Sequence, residues 1–148
     1  MTDRSFKATV PCDITFRDGI GTMLHAICHG ANEKVMFEVV SAYNEAFNNV
    51  VHHSKLPDDA PVVVEVSRRG DELTIRIEDQ GIGYEVDHNP DDDVIASLPD
   101  GDIPDSGMGL FIMSRCMDDV SYKRDGQART ARNELTMVRD LSRPAGSD

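Results

Sequence analysis

The spacing of apolar residues along the chain predicts two amphipathic helices in its first third. From residue 16 to residue 27 apolar side chains recur every three or four positions, and residues 30–32 are typical of a helix end. A second and clearer helical pattern runs from Glu33 to His53. The apolar positions are Phe16, Ile20, Leu24 and Ile27 in the first helix, and Met36, Val40, Tyr43, Phe47 and Val50 in the second.

The apolar period then changes to two, which predicts strands. Alternation in residues 62–66 and 73–77, on either side of Gly70, indicates an antiparallel hairpin. Further elements are predicted as a first strand within residues 5–12, a short helix from Gly109 to Met117, and strands at residues 120–123 and 134–139. These elements predict an α+β fold. It is a two-layer sandwich whose mixed, mostly antiparallel sheet carries helices on one face.

Residues 85–106 interrupt this pattern with many aspartates and prolines. A polar loop of this length inside a small domain is usually functional. We therefore predict one domain over residues 1–141, with a functional loop at 85–106 and a disordered tail at 142–148.

Composition narrows the classes of partner. The net charge of -12 argues against nucleic acid, which needs a basic surface. It also requires any site for an anionic nucleotide to neutralise the phosphates locally. The three cysteines lack C-x-x-C spacing, and no segment has the length and apolarity of a membrane span. These features predict a soluble cytoplasmic protein that acts without nucleic acid or membrane.

Glu45 and Asn49 are the first candidate site residues. They are four positions apart on the second helix, away from its apolar stripe, so both point to one side. A carboxylate and an amide oxygen suit Mg²⁺, which keeps few protein ligands. A carboxylate can also take the proton of an attacking hydroxyl. Without further motifs, a solvated helix face would be the simpler interpretation.

Two glycine motifs supply that further evidence. Asp79 ends the second hairpin strand and is followed by Gly81 and Gly83, so its carboxylate could accept a hydrogen bond at the end of the sheet. Gly107-Met108-Gly109-Leu110 precedes an apolar helical segment, where free backbone N–H groups favour an anion. Each motif by itself is weak, because Asp-x-Gly turns and glycine caps are common.

Together the three motifs resemble the nucleotide site of the GHKL, or Bergerat-fold, ATPases. Residues 45–53 resemble the N-box, residues 79–83 the G1 box and residues 107–110 the G2 box. Their order and spacing, in so short a domain, are most similar to the anti-sigma-factor serine/threonine kinases. The resemblance covers about residues 5–140.

The resemblance implies a role for each candidate residue. Glu45 would be the general base, Asn49 would coordinate Mg²⁺, and Asp79 would bind the adenine of ATP. Residues 85–106 would form the ATP lid. The remaining candidates would shape the pocket or close over the phosphates: Gly81, Gly83, Gly107, Met108, Gly109 and Leu110.

The implied function is an ATP-dependent protein serine/threonine kinase that is also an anti-sigma factor. It would phosphorylate a STAS-domain antagonist, bind a sigma factor in the alternative state, and form a homodimer. One alternative is a nucleotide-gated binding module without kinase activity. A third is a switch kinase that acts on a larger STAS scaffold to release a phosphatase.

Three departures from the family pattern bear on these roles. Met108 stands where many relatives carry a basic residue, so one phosphate contact is either missing or supplied from elsewhere, with Arg115 and Lys55 as candidates. Residues 131–134, Ala-Arg-Asn-Glu, replace a Gly-Thr-Thr-like segment and leave the hydroxyl on the adenine side unassigned. His25 and His29 have the spacing of a metal clamp but no third ligand in view, so we interpret them as surface or packed histidines.

Overall fold

The computed structural model describes residues 3–53, 59–81, 105–123 and 133–146. These residues form one five-stranded sheet in the order β1-β2-β3-β5-β4, and every neighbouring pair is antiparallel. The elements in chain order are β1 (Arg4–Pro11), α1 (Ile14–Ile27), α2 (Glu33–His53), β2 (Pro61–Arg69), β3 (Glu72–Asp79), α3 (Asp105–Cys116), β4 (Asp119–Lys123) and β5 (Asn133–Asp140). The predicted α+β fold is confirmed, and the described part of the sheet is wholly antiparallel rather than mixed.

The two faces of the sheet differ in polarity. Alternate residues of β2, β3 and β5 are buried on one face, and most of them are apolar. The other face carries Arg76, which makes ion pairs with Glu65, Glu78 and Glu134 on β2, β3 and β5. Helices α1, α2 and α3 contact the sheet, and α2 also packs against the other two helices. The core therefore lies between the apolar face and the helices, as the alternation predicts.

Helix α1 begins earlier than its apolar pattern indicates. The Asp13 side chain accepts a hydrogen bond from the Thr15 N–H at 2.9 Å and caps the helix, which starts at Ile14. Phe16 is 42% exposed, although it belongs to the predicted apolar stripe. The later members of the stripe are buried, so the core contact of α1 is confined to its last two turns. Helix α2 has the predicted bounds.

The turn between β2 and β3 also follows the prediction. Arg69 pairs with Glu72, and Gly70 has a φ of 60°, a conformation that glycine adopts without a Cβ penalty. Arg68 donates from Nη1 to the carbonyl oxygens of Ile27 and His29, at 3.1 and 2.9 Å. These bonds satisfy the C-terminal carbonyls of α1 and attach that helix to the hairpin.

The start of the predicted disordered tail is bound to the domain. The Arg139 guanidinium is fully buried and donates to Glu38 Oε1 at 2.9 Å and to the carbonyl oxygens of Cys116 and Arg143. The Gly146 N–H donates to the other oxygen of Glu38 at 3.2 Å. The prediction of disorder is therefore wrong for residues 142–146, because a buried cation on β5 needs carbonyl partners that the tail provides.

Cys28 gives the fold a pH-dependent stability. Burial raises the pKa of its thiol from 9.0 to about 11, although nearby Arg68 lowers it in part. The unfolded chain therefore loses this proton near pH 9, whereas the native protein keeps it until about pH 11. Unfolding releases a proton between those values, so stability falls as the pH rises. Burial also raises the pKa of Tyr43, with the same sign.

We expect the free energy of unfolding of Cys28→Ala to fall less steeply with rising pH than that of the unmodified chain. The difference should reach roughly 1–3 kcal/mol between pH 9 and pH 11. Urea unfolding at pH 8, 9.5 and 10.5 measures it, and the unchanged Tyr43 keeps its own contribution in both proteins. Equal pH slopes for the two proteins would show that the Cys28 thiol does not titrate abnormally.

Among the residues that the structure describes, no helix is both long and apolar enough to cross a membrane.

Candidate functional site

Glu45 and Asn49 lie one turn apart on α2, in unlike surroundings. Glu45 is half-buried, whereas Asn49 is buried and only 6% exposed. Asn49 is buried although it lies away from the apolar stripe of α2. The buried surface of α2 is wider than that stripe, because Ala42 and Ala46 are also fully buried. Asn49 lies at the edge of this buried surface, and Glu45 lies just outside it.

The structure distinguishes Asn49 from the asparagine before it. Arg17 on α1 donates from Nη1 to Asn48 Oδ1 at 2.8 Å, so the amide of Asn48 is used in joining the two helices. No residue in the described part of the chain hydrogen bonds to the side chain of Asn49 or Glu45. A buried amide is normally hydrogen bonded. Within the described residues, Asn49 therefore retains its carbonyl oxygen for a ligand, whereas the oxygen of Asn48 already accepts from Arg17.

Asp79 occupies the end of β3 and is 3% exposed. Its Oδ1 accepts hydrogen bonds from the Gly81 N–H at 2.8 Å and from Asn133 Nδ2 at 2.9 Å. The carboxylate is thus held by two donors at the sheet end, where the sequence predicts a base-binding acceptor. Gly83, the last residue of the motif, lies outside the described residues.

Asn133 is a site residue that the sequence analysis did not assign. It starts β5, lies directly opposite Asp79 in the strand pairing, and is fully buried. Its Nδ2 donates to Gly81 O at 2.8 Å as well as to Asp79. Its Oδ1 is buried and has no hydrogen-bond partner among the described residues. One feature of the sequence could have drawn attention to Asn133: residues 131–134 stand where the family pattern has a hydroxyl-bearing segment.

The second glycine motif is helical. Helix α3 begins at Asp105, so residues 107–110 form part of its first two turns. The helix starts four residues before its predicted start at Gly109, so the prediction that Gly107 and Met108 precede it is wrong, as is the loop assignment of residues 105 and 106. Aspartate and serine are usual at helix starts, but the apolar signal on which the prediction relied begins only at Leu110. The rest of the predicted lid, residues 85–104, and the side chains of Met108 and Leu110 lie outside the description.

Helix α2 connects the elements that carry the three motifs. It bears Glu45 and Asn49, and it contacts both β3, which ends at Asp79, and α3, which includes residues 107–110. The motifs are far apart in sequence, so this contact is a property of the fold. The arrangement places the Glu45 carboxylate, the Asn49 amide and the Asp79 carboxylate on adjoining elements or on the same one.

Arg115, one candidate for a phosphate contact, lies at the C-terminal end of α3. It is in the last turn of α3, its guanidinium lies 5.7 Å from the centre of the Phe111 ring, and it lines a cavity of about 350 Å³ with Lys34 and Glu38. Glu38 and Glu45 are seven residues apart on α2, so the cavity beside Glu38 lies about 10 Å along the helix axis from Glu45. The described contacts of Arg115 are thus with Phe111 and the Glu38 end of α2, and its contact with a phosphate stays a prediction. Lys55, the other candidate, lies outside the described residues.

The donor set fits a weakly held Mg²⁺. The described residues contain no group of three histidine, cysteine or carboxylate side chains able to hold a metal by themselves. Mg²⁺ bound through nucleotide phosphates needs only one or two protein oxygens and keeps several waters. The free amide oxygen of Asn49 is suited to that role. When bound, the ion would neutralise phosphate charge that this acidic chain otherwise repels.

His25 and His29 lie away from these residues. They line a cavity of about 510 Å³ at the junction of α1 and α2, together with Phe37. Both are exposed, and in the described part of the chain no third ligand completes a metal site beside them. This agrees with their interpretation as surface histidines.

The fold and the motif positions agree with a known family. The profile of the histidine kinase-like ATPase domain matches residues 16–139, which is most of the chain. The protein therefore belongs to the histidine kinase-like ATPase domain family.

Its curated relatives include two kinds of regulatory protein. The chain is 33% identical over 84 residues to an anti-sigma F factor of Clostridium perfringens, an alignment that covers 56% of this chain and 59% of the relative. It is 27% identical over 89 residues to the serine-protein kinase RsbW of Bacillus cereus, which covers 57% of this chain and 54% of the relative. The matched region thus spans little more than half the length of these relatives.

A solved structure shows the same fold. It contains the RsbU and RsbW domains of a Mycobacterium tuberculosis protein, with a TM-score of 0.62 and 18% identity. The match covers 96% of this chain and 34% of that one. At this identity the likeness concerns the fold, and it agrees with the α+β sandwich described above.

Proposed function

We propose that this chain is an ATP- and Mg²⁺-dependent protein serine/threonine kinase. The observation that carries the proposal is the pair formed by Glu45 and Asn49 on α2. Asn49 is a largely buried residue whose side chain has no hydrogen-bond partner within the described residues. It lies one helical turn from a half-buried carboxylate that makes no ion pair among those residues. An ATPase-family fold with a base beside a metal ligand is suited to phosphoryl transfer.

In the proposed reaction the target hydroxyl oxygen forms a bond to the γ-phosphorus of ATP. The hydroxyl proton passes to the Glu45 carboxylate, and the bond from the γ-phosphorus to the bridging oxygen breaks to release ADP. Asn49 would hold Mg²⁺, and the backbone of residues 107–110 would approach the phosphates. Little covalent chemistry is required of the protein, so positioning and charge neutralisation dominate.

Asp79 would bind the adenine at the other end of the site. Its carboxylate can accept a hydrogen bond from the exocyclic amine, and the bonds from Gly81 and Asn133 fix its orientation beforehand. A base-binding group that is already oriented loses little entropy when the ligand binds. Gly81 and Gly83 would shape this part of the pocket, and residues 85–106 would close over it.

The proposed partners follow from the names of the relatives. An anti-sigma F factor and a serine-protein kinase are regulatory proteins, which supports a sigma factor as one partner and a protein substrate as the other. We propose a STAS-domain antagonist as that substrate and a homodimer as the working form. The chain would then alternate between binding the sigma factor and phosphorylating the antagonist.

A nucleotide-gated binding module is the second candidate function. It is favoured by Met108, which replaces a basic residue, and by the position of Arg115 at the far end of α3. A site with fewer phosphate contacts could retain ATP binding and partner sequestration while losing transfer. Measurement of binding and transfer on the same preparation separates the two functions.

Two adjacent asparagines provide a matched test of the metal site. We expect Asn49→Ala to weaken ATP binding in Mg²⁺ by about tenfold or more, because an oxygen ligand of the ion is removed. Asn48→Ala removes only the hydrogen bond from Arg17 and should leave the affinity within about twofold. Titration calorimetry of both variants, with and without Mg²⁺, measures the effect.

The two variants also test the assignment itself. If Asn49→Ala and Asn48→Ala bound ATP equally well, Asn49 would not be the metal ligand. A loss of affinity in Asn49→Ala that persisted in EDTA would assign the residue to the nucleotide instead of the ion. Circular dichroism of each variant, with the unmodified chain as reference, establishes that the helix is intact.

A further inference from the structure

The side-chain amide of Asn133 has a fixed orientation. Both groups on its nitrogen side, Asp79 Oδ1 and Gly81 O, are hydrogen-bond acceptors at 2.9 and 2.8 Å. A flipped amide would place its oxygen against two other oxygens, so the nitrogen must face them. The amide oxygen therefore points to the other side of the group. By amide bond lengths it lies no more than about 5 Å from the Asp79 carboxylate.

That oxygen lacks a donor. Asn133 is fully buried, and no group in the described part of the chain donates to its Oδ1. Buried carbonyl groups in native proteins are nearly always hydrogen bonded, and an unpaired one is costly. An unpaired oxygen next to a proposed base-binding carboxylate is available to a donor that a ligand brings.

We propose that Asn133 is a specificity-determining residue for the base, which deepens the proposed function and rests on it. Its nitrogen orients Asp79, and its oxygen accepts a hydrogen bond from the 6-amino group of a purine. The sheet end then presents two acceptors, the Asp79 carboxylate and the Asn133 oxygen, and no side-chain donor of Asn133 remains free.

A ligand that matches two acceptors must bring donors. The amino group of adenine has two hydrogens, one for each acceptor. Inosine carries an oxygen at the same ring position, which would face the two oxygens of the protein. A site built to hydrogen bond one group rejects an analogue that lacks it, because the buried polar atoms are left unpaired. The chain should therefore prefer ATP strongly to inosine triphosphate.

The test compares ATP with inosine triphosphate in the unmodified chain and in Asn133→Thr. A threonine hydroxyl still provides one donor for Asp79 but removes the fixed amide oxygen. We expect the ratio of the two dissociation constants, inosine triphosphate over ATP, to fall by about 5–10-fold in this variant. The matched control is Thr136→Ser, three residues along β5 on the opposite face of the sheet, which should leave the ratio unchanged.

Each outcome has one interpretation. If Asn133 only holds Asp79 in place, Asn133→Thr keeps the ratio and the proposal is overturned, while ATP binding by the unmodified chain leaves the kinase hypothesis intact. If the unmodified chain binds neither nucleotide, the proposed function fails and this inference fails with it. Thermal denaturation checks that the variant folds, and Asn133→Ser replaces it if it does not, with the same expected fall in the ratio.

Discussion

Glu45→Gln is expected to lower the rate of phosphoryl transfer by about 10²–10⁴-fold. Glutamine keeps the size and hydrogen-bonding capacity of the side chain but cannot take the proton from the target hydroxyl. Asn49 and Asp79 are unchanged, so ATP affinity should stay within about threefold. Single-turnover transfer from labelled ATP measures the rate, and calorimetry measures the affinity.

Glu33→Gln is the matched control for this variant. Glu33 lies in the first turn of the same helix, about 18 Å along its axis from Glu45, and loses the same charge. It should transfer phosphate at the unmodified rate. Equal rates in Glu45→Gln and in the unmodified chain would exclude Glu45 as the base. A rate that recovered at high pH only in Glu45→Gln would support its role as the proton acceptor.

The second large effect is on stability. Arg139→Met should lower the free energy of unfolding by about 3–5 kcal/mol. The guanidinium is fully buried and joins β5 to Glu38 on α2, to the end of α3 and to the C-terminal segment. Its removal leaves the largely buried Glu38 carboxylate without its ion-pair partner and takes one donor from each of two carbonyl oxygens, those of Cys116 and Arg143. Urea unfolding followed by circular dichroism provides the measurement.

Arg143→Met is the control, because Arg143 pairs with Asp118 at a site where both side chains are about one-third exposed. Such a pair contributes about 0–1 kcal/mol. A loss in Arg139→Met no larger than in Arg143→Met would show that the buried network does not stabilise the fold. If Arg139→Met does not fold, Arg139→Met with Glu38→Met should restore folding, since replacing both partners leaves no unpaired charge.

Local periodicity was sufficient to predict most of the fold. The α2 stripe and the β2–β3 hairpin each repeat over several residues. The structure confirms the bounds of α2 and the turn at Gly70, and both hairpin strands extend beyond the predicted alternation. Signals of this kind depend only on neighbouring residues. The start of α3 was missed because its glycines have low helix propensity and interrupt the apolar pattern.

Long-range contacts account for what the sequence could not predict. The hydrogen bond between Asn133 and Asp79 joins residues 54 positions apart, through a strand register that no local pattern encodes. The order of C-terminal residues 142–146 likewise depends on Arg139 and on Glu38, which is 101 positions from Arg139. Both features require the pairing of β3 with β5 and the packing of α2.

In the candidate site, too, local motifs identify residues, whereas their contacts depend on the fold. The residue types of Glu45, Asn49 and Asp79 could be selected from motif order alone, and the structure places them on adjoining elements. Sequence did not show that Asn48 is bound to Arg17 and Asn49 is free, since the two are chemically identical neighbours. It also did not show that Arg115 faces Glu38 and the C-terminal segment.

The most direct test of the kinase hypothesis is transfer of label from γ-labelled ATP, in Mg²⁺, to a STAS-domain protein encoded beside this chain, with Glu45→Gln in parallel. We predict label on a serine or threonine of the STAS protein with the unmodified chain and almost none with the variant. ATP binding without any transfer by the unmodified chain would contradict the kinase hypothesis and favour the nucleotide-gated binding module.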